Sequence, residues 1–129
     1  MDKNSGFKNE VQAAPGGANV LNCLLCGSCT AGCPVNEIDD CYNPRKIMRM
    51  ILLDQKEKLL SSKELWKCNQ CHACVSHCPQ DVRFADVLRA LREMSADQGY
   101  VDEALPDKVE QIDLKTRKQR LSEISKLLG

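Results

Sequence analysis

One cysteine pattern occurs twice in this chain. The first copy is Cys23, Cys26, Cys29 and Cys33, followed by Pro34; the second is Cys68, Cys71, Cys74 and Cys78, followed by Pro79. Every position of the first run recurs 45 residues later, which chance spacing rarely gives. The fold has to arrange itself around these eight thiols.

The run C-x-x-C-x-x-C-x-x-x-C-P is the spacing used for cubane iron–sulfur clusters. A tight loop turns three thiolates, two residues apart, onto three corners of one cube. The fourth points away and, where two runs occur, ligates the partner cluster. The proline after it removes a backbone N–H, fixes φ and ends the loop. The expectation is therefore one [4Fe–4S] cluster on Cys23, Cys26, Cys29 and Cys78, and a second on Cys68, Cys71, Cys74 and Cys33. Each cluster then crosslinks the two halves of the fold. Two other uses of cysteine fit less well. Cys₄ zinc sites also use C-x-x-C pairs, but zinc leaves the third cysteine and the Cys-Pro of each run without a role. A disulfide framework conflicts with the odd count of nine cysteines and with runs spaced for one centre.

Composition supports a metal staple. Only five of 129 residues are aromatic: Phe7, Tyr42, Trp66, Phe84 and Tyr100. A core so poor in large side chains is thin, and small domains often add a crosslink. Lysine plus arginine and aspartate plus glutamate balance at 18 each, so nothing points to a nucleic-acid partner. Residues 1–19 contain no apolar run that suits a signal peptide. The longest apolar stretch, residues 50–53, is far too short to span a bilayer. The expected setting is the cytoplasm, where patterned cysteines are metal ligands rather than disulfides. With clusters bound, the protein is anionic although its residue charges cancel, because a tetrathiolate cubane carries about −2 or −3.

The rest of the pattern is helical. Residues 1–18 read as a flexible tail, 19–99 as the cluster-binding domain and 100–129 as a C-terminal helical arm. Asn43-Pro44 predicts a capped helix running from Arg45 to Leu60, well buried in its first half through Ile47, Met50, Ile51, Leu52 and Leu53. Ser62 is the expected cap of a short helix carrying Leu65 and Trp66. Asp81 is the expected cap of a helix over 82–95, with Phe84, Val87, Leu88 and Leu91 on the inner face and Arg83, Arg89, Arg92 and Glu93 mainly opposite. Gly99 ends it. Val109, Ile112, Leu121, Ile124 and Leu128 form a last apolar stripe, and residues 115–120 a basic, solvated face.

Outside the two runs the candidates are weaker. Cys41 reads as a buried free thiol. His72 and His77 read as exposed or supporting histidines, and Trp66 as a shield between a cluster and water. Lys67, Arg45 and Arg83 are nearby cations. Gly27, Ser28, Ala31, Gly32 and Ala73 either let backbone N–H groups reach cluster sulfurs or simply satisfy turn geometry. No phosphate loop and no nucleophile–base pair is present, so no catalysis is expected from this chain alone.

The segments CLLCGSCTAGCPV, NPRKIMRMIL and ELWKCNQCHACVSHCPQDVRFADVLRALRE, in that order, resemble the C-type iron–sulfur subunit of heterodisulfide reductase. The likeness covers residues 19–99. It implies an all-α, alpha-helical ferredoxin fold, also seen in the iron–sulfur subunit of succinate dehydrogenase, with two [4Fe–4S] clusters. It further implies a cytoplasmic hetero-oligomer in which this subunit relays electrons between a flavin-containing subunit, on one side, and a catalytic, disulfide-reducing subunit on the other. The settings that go with it are methanogenesis and flavin-based electron bifurcation. No CCG motif of the catalytic subunit is present, so the chain resembles the relay. The alternatives are a free-standing ferredoxin-like carrier, a relay for another substrate, and a metal module without electron transfer.

Overall fold

The computed structural model describes residues 6–129, and among them every regular element is helical. In chain order these are α1 (Phe7–Ala13), α2 (Ser28–Ala31), α3 (Pro34–Ile38), α4 (Pro44–Leu52), α5 (Lys56–Leu60), α6 (Ala73–His77), α7 (Phe84–Asp97) and α8 (Leu105–Leu128). Two 3-10 turns, Val20–Asn22 and Lys63–Trp66, lead into the two cysteine runs. The all-α expectation holds. No described helix is long and apolar enough to cross a membrane.

Helix α7 is the spine. Phe84, Val87, Leu88 and Leu91 recur at helical spacing and are buried on one face. Burying each such side chain contributes about 1.5–3 kcal/mol. They meet Ile47, Met48 and Ile51 from α4, Leu59 and Leu60 from α5, and Leu65 from the second 3-10 turn in a single core. The helix ends at Gly99 as expected. Gly99 is left-handed (φ 79°), with Tyr100 N–H on Ser95 O (3.0 Å) and Gly99 N–H on Ala96 O (3.3 Å). This is a Schellman stop, which favours glycine.

The start of α7 differs from expectation. Asp81 does not cap it. Asp81 and Arg83 both take left-handed φ, and the helix begins at Phe84 without a side-chain cap. The backbone there is committed to the cysteine loop, with Val82 N–H 3.5 Å from Cys78 Sγ. Arg92 also differs, since it lies on the buried side of α7 rather than the outer one.

Helix α4 opens as its sequence predicts: Asn43 Oδ1 accepts from Lys46 N–H at 3.1 Å and Pro44 takes the first turn. It does not run on to Leu60. Gln55 N–H reaches Met50 O and Asp54 N–H reaches Ile51 O, both at 3.0 Å, with Asp54 left-handed at φ 56°. A second Schellman stop therefore separates α4 from α5. The apolar face of α4 is also narrower than expected: Met48 joins Ile47 and Ile51 in the core, whereas Leu53 is 56% exposed beyond the stop. Ser62 caps its turn as expected, accepting from Glu64 N–H at 3.1 Å.

The flexible tail expected over 1–18 lies partly outside the described residues, at 1–5. From Gly6 onward the structure differs. Helix α1 packs against α4 and α7 with Phe7 and Val11 buried. Gly6 offers no side-chain cap, but the Asp54 carboxylate accepts from Lys8 N–H at 2.9 Å. These contacts are long-range, so the local sequence carries no sign of them. By contrast α8 buries none of its residues and, of the expected stripe, leaves Ile112, Leu121 and Leu128 exposed.

Candidate metal centres

The internal repeat is visible in the backbone of the two cysteine loops. Leu25 and Gln70, matching positions of the two runs, are both left-handed (φ 54° and 56°); so are Gly27 and His72 (φ 84° and 65°). Such φ values are uncommon for residues with a Cβ. In each loop the left-handed residue aims its N–H back at the first cysteine: Leu25 N to Cys23 Sγ at 3.4 Å, and Gln70 N to Cys68 Sγ at 3.3 Å. Helices α2 and α6 follow at matching positions and pack on each other. Gly32 allows this approach, because a Cβ there runs into the His77 ring.

The consequence is two cysteine-lined cavities. One is walled by Cys23, Cys26 and Cys29 from the first run and Cys78 from the second. The other is walled by Cys68, Cys71 and Cys74 from the second run and Cys33 from the first. Phe84 contributes to both walls. Cys33 caps α3, where its Sγ lies 3.5 Å from Asn36 N–H, and Cys78 receives Val82 N–H. All eight thiols are free.

The donor set suits iron–sulfur chemistry. Soft thiolates converge in fours, and N–H groups point at the sulfurs that carry the charge. As thiols, the more enclosed members resist ionisation. Burial raises Cys23 and Cys29 and pushes Cys74 up to about 11. Cys26 moves the other way, because the Ser28 hydroxyl lies 3.3 Å from its sulfur. A bound metal supplies the positive charge that burial withholds. The phenol of Tyr42, buried beside Cys68, is held protonated by desolvation first and by that sulfur next.

The neighbouring residues fall into place with two corrections. Cys41 is exposed, not buried. Its N–H donates to Asp39 Oδ1 (3.0 Å) in a turn, and the adjacent Tyr42 takes the core position. Lys67 does not face a cluster cavity but pairs with Asp39 (2.7 Å) and Glu64 (3.0 Å). Arg83 pairs with Asp86 at 2.8 Å. Arg45 does reach the first cavity, donating from Nε to Leu25 O at 2.6 Å. His72 and His77 are exposed. Arg92, expected on the outer face of α7, instead turns inward: its Nε and Nη2 donate to Leu65 O (2.7 Å) and Cys68 O (2.8 Å), and its guanidinium lies 5.3 Å from the Trp66 ring centre. Gln70, which the cysteine spacing alone does not single out, places its Nε2 3.6 Å from Cys68 Sγ. Aligning the two runs position by position exposes Gln70, because its counterpart is Leu25.

Comparison with known proteins agrees with this chemistry. A family described as "4Fe-4S dicluster domain" matches residues 22–83. The chain is 35% identical over 103 residues to the C2 subunit of the H(2)/formate:CoB-CoM heterodisulfide,ferredoxin reductase of Methanococcus maripaludis, covering 74% of this chain and 55% of that protein. It is 36% identical over 86 residues to the iron-sulfur C subunit of the CoB–CoM heterodisulfide reductase of Methanopyrus kandleri (67% and 44% covered). It is 33% identical over 85 residues to the C subunit of the ferredoxin:CoB-CoM heterodisulfide reductase of Methanosarcina mazei (66% and 52% covered). The chain spans about half the length of the curated relatives it matches. The cofactors are two [4Fe–4S] clusters, and zinc is set aside.

Proposed function

Since this chain belongs, through its cysteine-bearing core, to the C-type dicluster iron–sulfur subunits of heterodisulfide reductases, we propose that it relays electrons inside a larger oxidoreductase. The observation that carries this is the pair of cavities, each walled by three cysteines of one run and one of the other. In this reading Cys23, Cys26, Cys29 and Cys78 ligate one cluster, and Cys68, Cys71, Cys74 and Cys33 the other. The shared wall at Phe84 keeps the two centres adjacent, as a relay in series requires.

When bound, the clusters supply one-electron redox chemistry. The residues of the chain do the rest. Phe84, Met48 and Val82 keep water from the inner side of the first centre, and Tyr42 and Ala85 do so at the second. The backbone N–H groups of Leu25, Asn36, Gln70 and Val82 stabilise negative charge on ligand sulfurs. Cys26 and Cys71 are exposed, so each centre approaches the surface on its own loop. The partners in this reading are a flavoprotein on the donor or acceptor side and a catalytic, disulfide-reducing protein on the other, in a cytoplasmic hetero-oligomer. The arm over 100–129, with Ile112 and Leu121 about 60% exposed, is its docking element.

Anoxic purification of the full chain from its native host tests the proposal. The expected result is about eight irons and eight sulfides per chain, two reversibly reducible centres, and co-isolation with a flavoprotein. A monomer that exchanges electrons with several enzymes in solution identifies a free carrier instead. Absence of any reversible reduction overturns the relay.

A further inference from the structure

The two cysteine loops match in backbone but not in the side chains that reach sulfur. In the second loop Gln70 Nε2 lies 3.6 Å from Cys68 Sγ, whereas Leu25 at the matching position has no donor. In the first loop Ser28 Oγ lies 3.3 Å from Cys26 Sγ, whereas its counterpart Ala73 has none. Ser28 and Gln70 thus each give a ligand sulfur of their loop a hydrogen bond that the side chain at the matching position of the other loop cannot make. Cys68 is the more heavily served sulfur: it also receives the Gln70 backbone N–H at 3.3 Å and lies beside the Tyr42 phenol.

We propose that Gln70 and Ser28 are positioning residues that set the reduction potentials of the two clusters independently, each through one hydrogen bond to a ligand sulfur. The inference rests on the ligand sets of the relay reading. Reduction puts more negative charge on the sulfurs, so a donor aimed at them stabilises the reduced state more than the oxidised one and raises the potential. A ligated thiolate has no proton, so the Ser28 hydroxyl is the donor in its pair. The amide of Gln70 has the same polarity, because turning its oxygen toward sulfur sets two acceptors against each other.

A second observation supports the assignment to Gln70. Its Oε1 is buried without a partner, and the bond from Nε2 to Cys68 is the only side-chain hydrogen bond it makes among the described residues. Its backbone is left-handed as well (φ 56°). An amide kept in this setting at a cost in stability has a reason to be there, and the sulfur is what it touches. The Gln70 bond is partly buried and the Ser28 bond exposed, so the Gln70 effect is the less screened of the two.

Redox titration of the full-length, anoxically prepared chain, followed by EPR, tests this. Gln70→Leu should move the midpoint of the cluster on Cys68 to more negative potential and leave the other in place. Ser28→Ala should move only the cluster on Cys26, by a smaller step. The reciprocal variants Leu25→Gln and Ala73→Ser add a donor where none exists, and should raise the first and second cluster respectively. They keep the test decisive if Gln70→Leu fails to take up iron. Two reversible centres with unchanged midpoints in all the folded variants, or shifts shared equally by both clusters, overturn the inference while leaving the relay intact. A wild-type chain without reversible reduction overturns the relay, and the inference falls with it.

Discussion

Arg92 is the residue whose chemistry departs furthest from its place in the pattern. It occupies the buried side of α7, 9% exposed, and spends its donors on two backbone carbonyls, Leu65 O and Cys68 O. One of these belongs to a proposed cluster ligand, so the side chain ties the second cysteine loop to the spine of the fold. Removing it leaves both carbonyls short of a partner, and an unsatisfied buried group costs about 1–3 kcal/mol. Arg92→Leu is therefore expected to destabilise the loaded protein by about 2–4 kcal/mol, seen as a lower midpoint in anoxic thermal unfolding. Iron should leave the centre on Cys68 before the one on Cys23. Arg92→Lys should recover part of the loss. An unchanged midpoint in Arg92→Leu means the carbonyls find other partners. Gly17 is a second sensitive position. It is buried, and a Cβ there collides with the carbonyl of Val11. Gly17→Ala should cost about 1–3 kcal/mol as backbone overpacking, whereas Gly99→Ala meets no atoms and is strained only through its positive φ.

Among the elements, what the sequence disclosed follows how locally each is determined. Asn43-Pro44 and Ser62 cap as read, because a cap needs only residues a few positions away. The inner face of α7 was legible from its spacing, and the two cysteine quartets from the repeat. The break after α4 was not legible, because Asp54 is not a residue that announces a left-handed stop; its carboxylate is held by Lys8, 46 residues away. Helix α1 was missed for the same reason. The stripe on α8 was legible as periodicity, but period says nothing about what covers it. The helix leans on α7 through its first turns, and residues 115–120 all stay exposed. An element that buries none of its residues contributes little to the fold. Deleting 105–129 should then leave iron content and the core's unfolding midpoint nearly unchanged, while co-isolation with partner proteins is lost. A truncated chain that still assembles at full yield removes the docking role from α8; one that no longer binds iron shows that the helix is structural.

At the scale of the whole molecule, the exchange of the fourth cysteine matters most. In the proposed ligand sets neither cysteine run completes a centre alone, so the two halves of the chain are joined through metal twice. The apolar core lies between them and is small, with Tyr42 and Phe84 its largest fully buried side chains. In that arrangement the clusters crosslink the fold in addition to their proposed relay role, and loss of iron should be felt as loss of structure. Cys78→Ala separates the possibilities. With exchanged ligands, the variant loses the cluster held by Cys23, Cys26 and Cys29, and keeps the EPR signal of the one held by Cys68, Cys71 and Cys74. Cys33→Ala gives the converse. If each run instead closes its own centre, Cys78→Ala abolishes the signal of the cluster on Cys68, the opposite pattern. Hydrogen exchange on the same variants reads the structural half of the argument. Protection should fall first in α2 and the loop over 23–29 for Cys78→Ala, because Cys78 is the tie that the exchanged arrangement gives that loop to the second half of the chain. Equal loss of protection on both sides from either variant means that the core, and not the paired metal ties, holds the halves together.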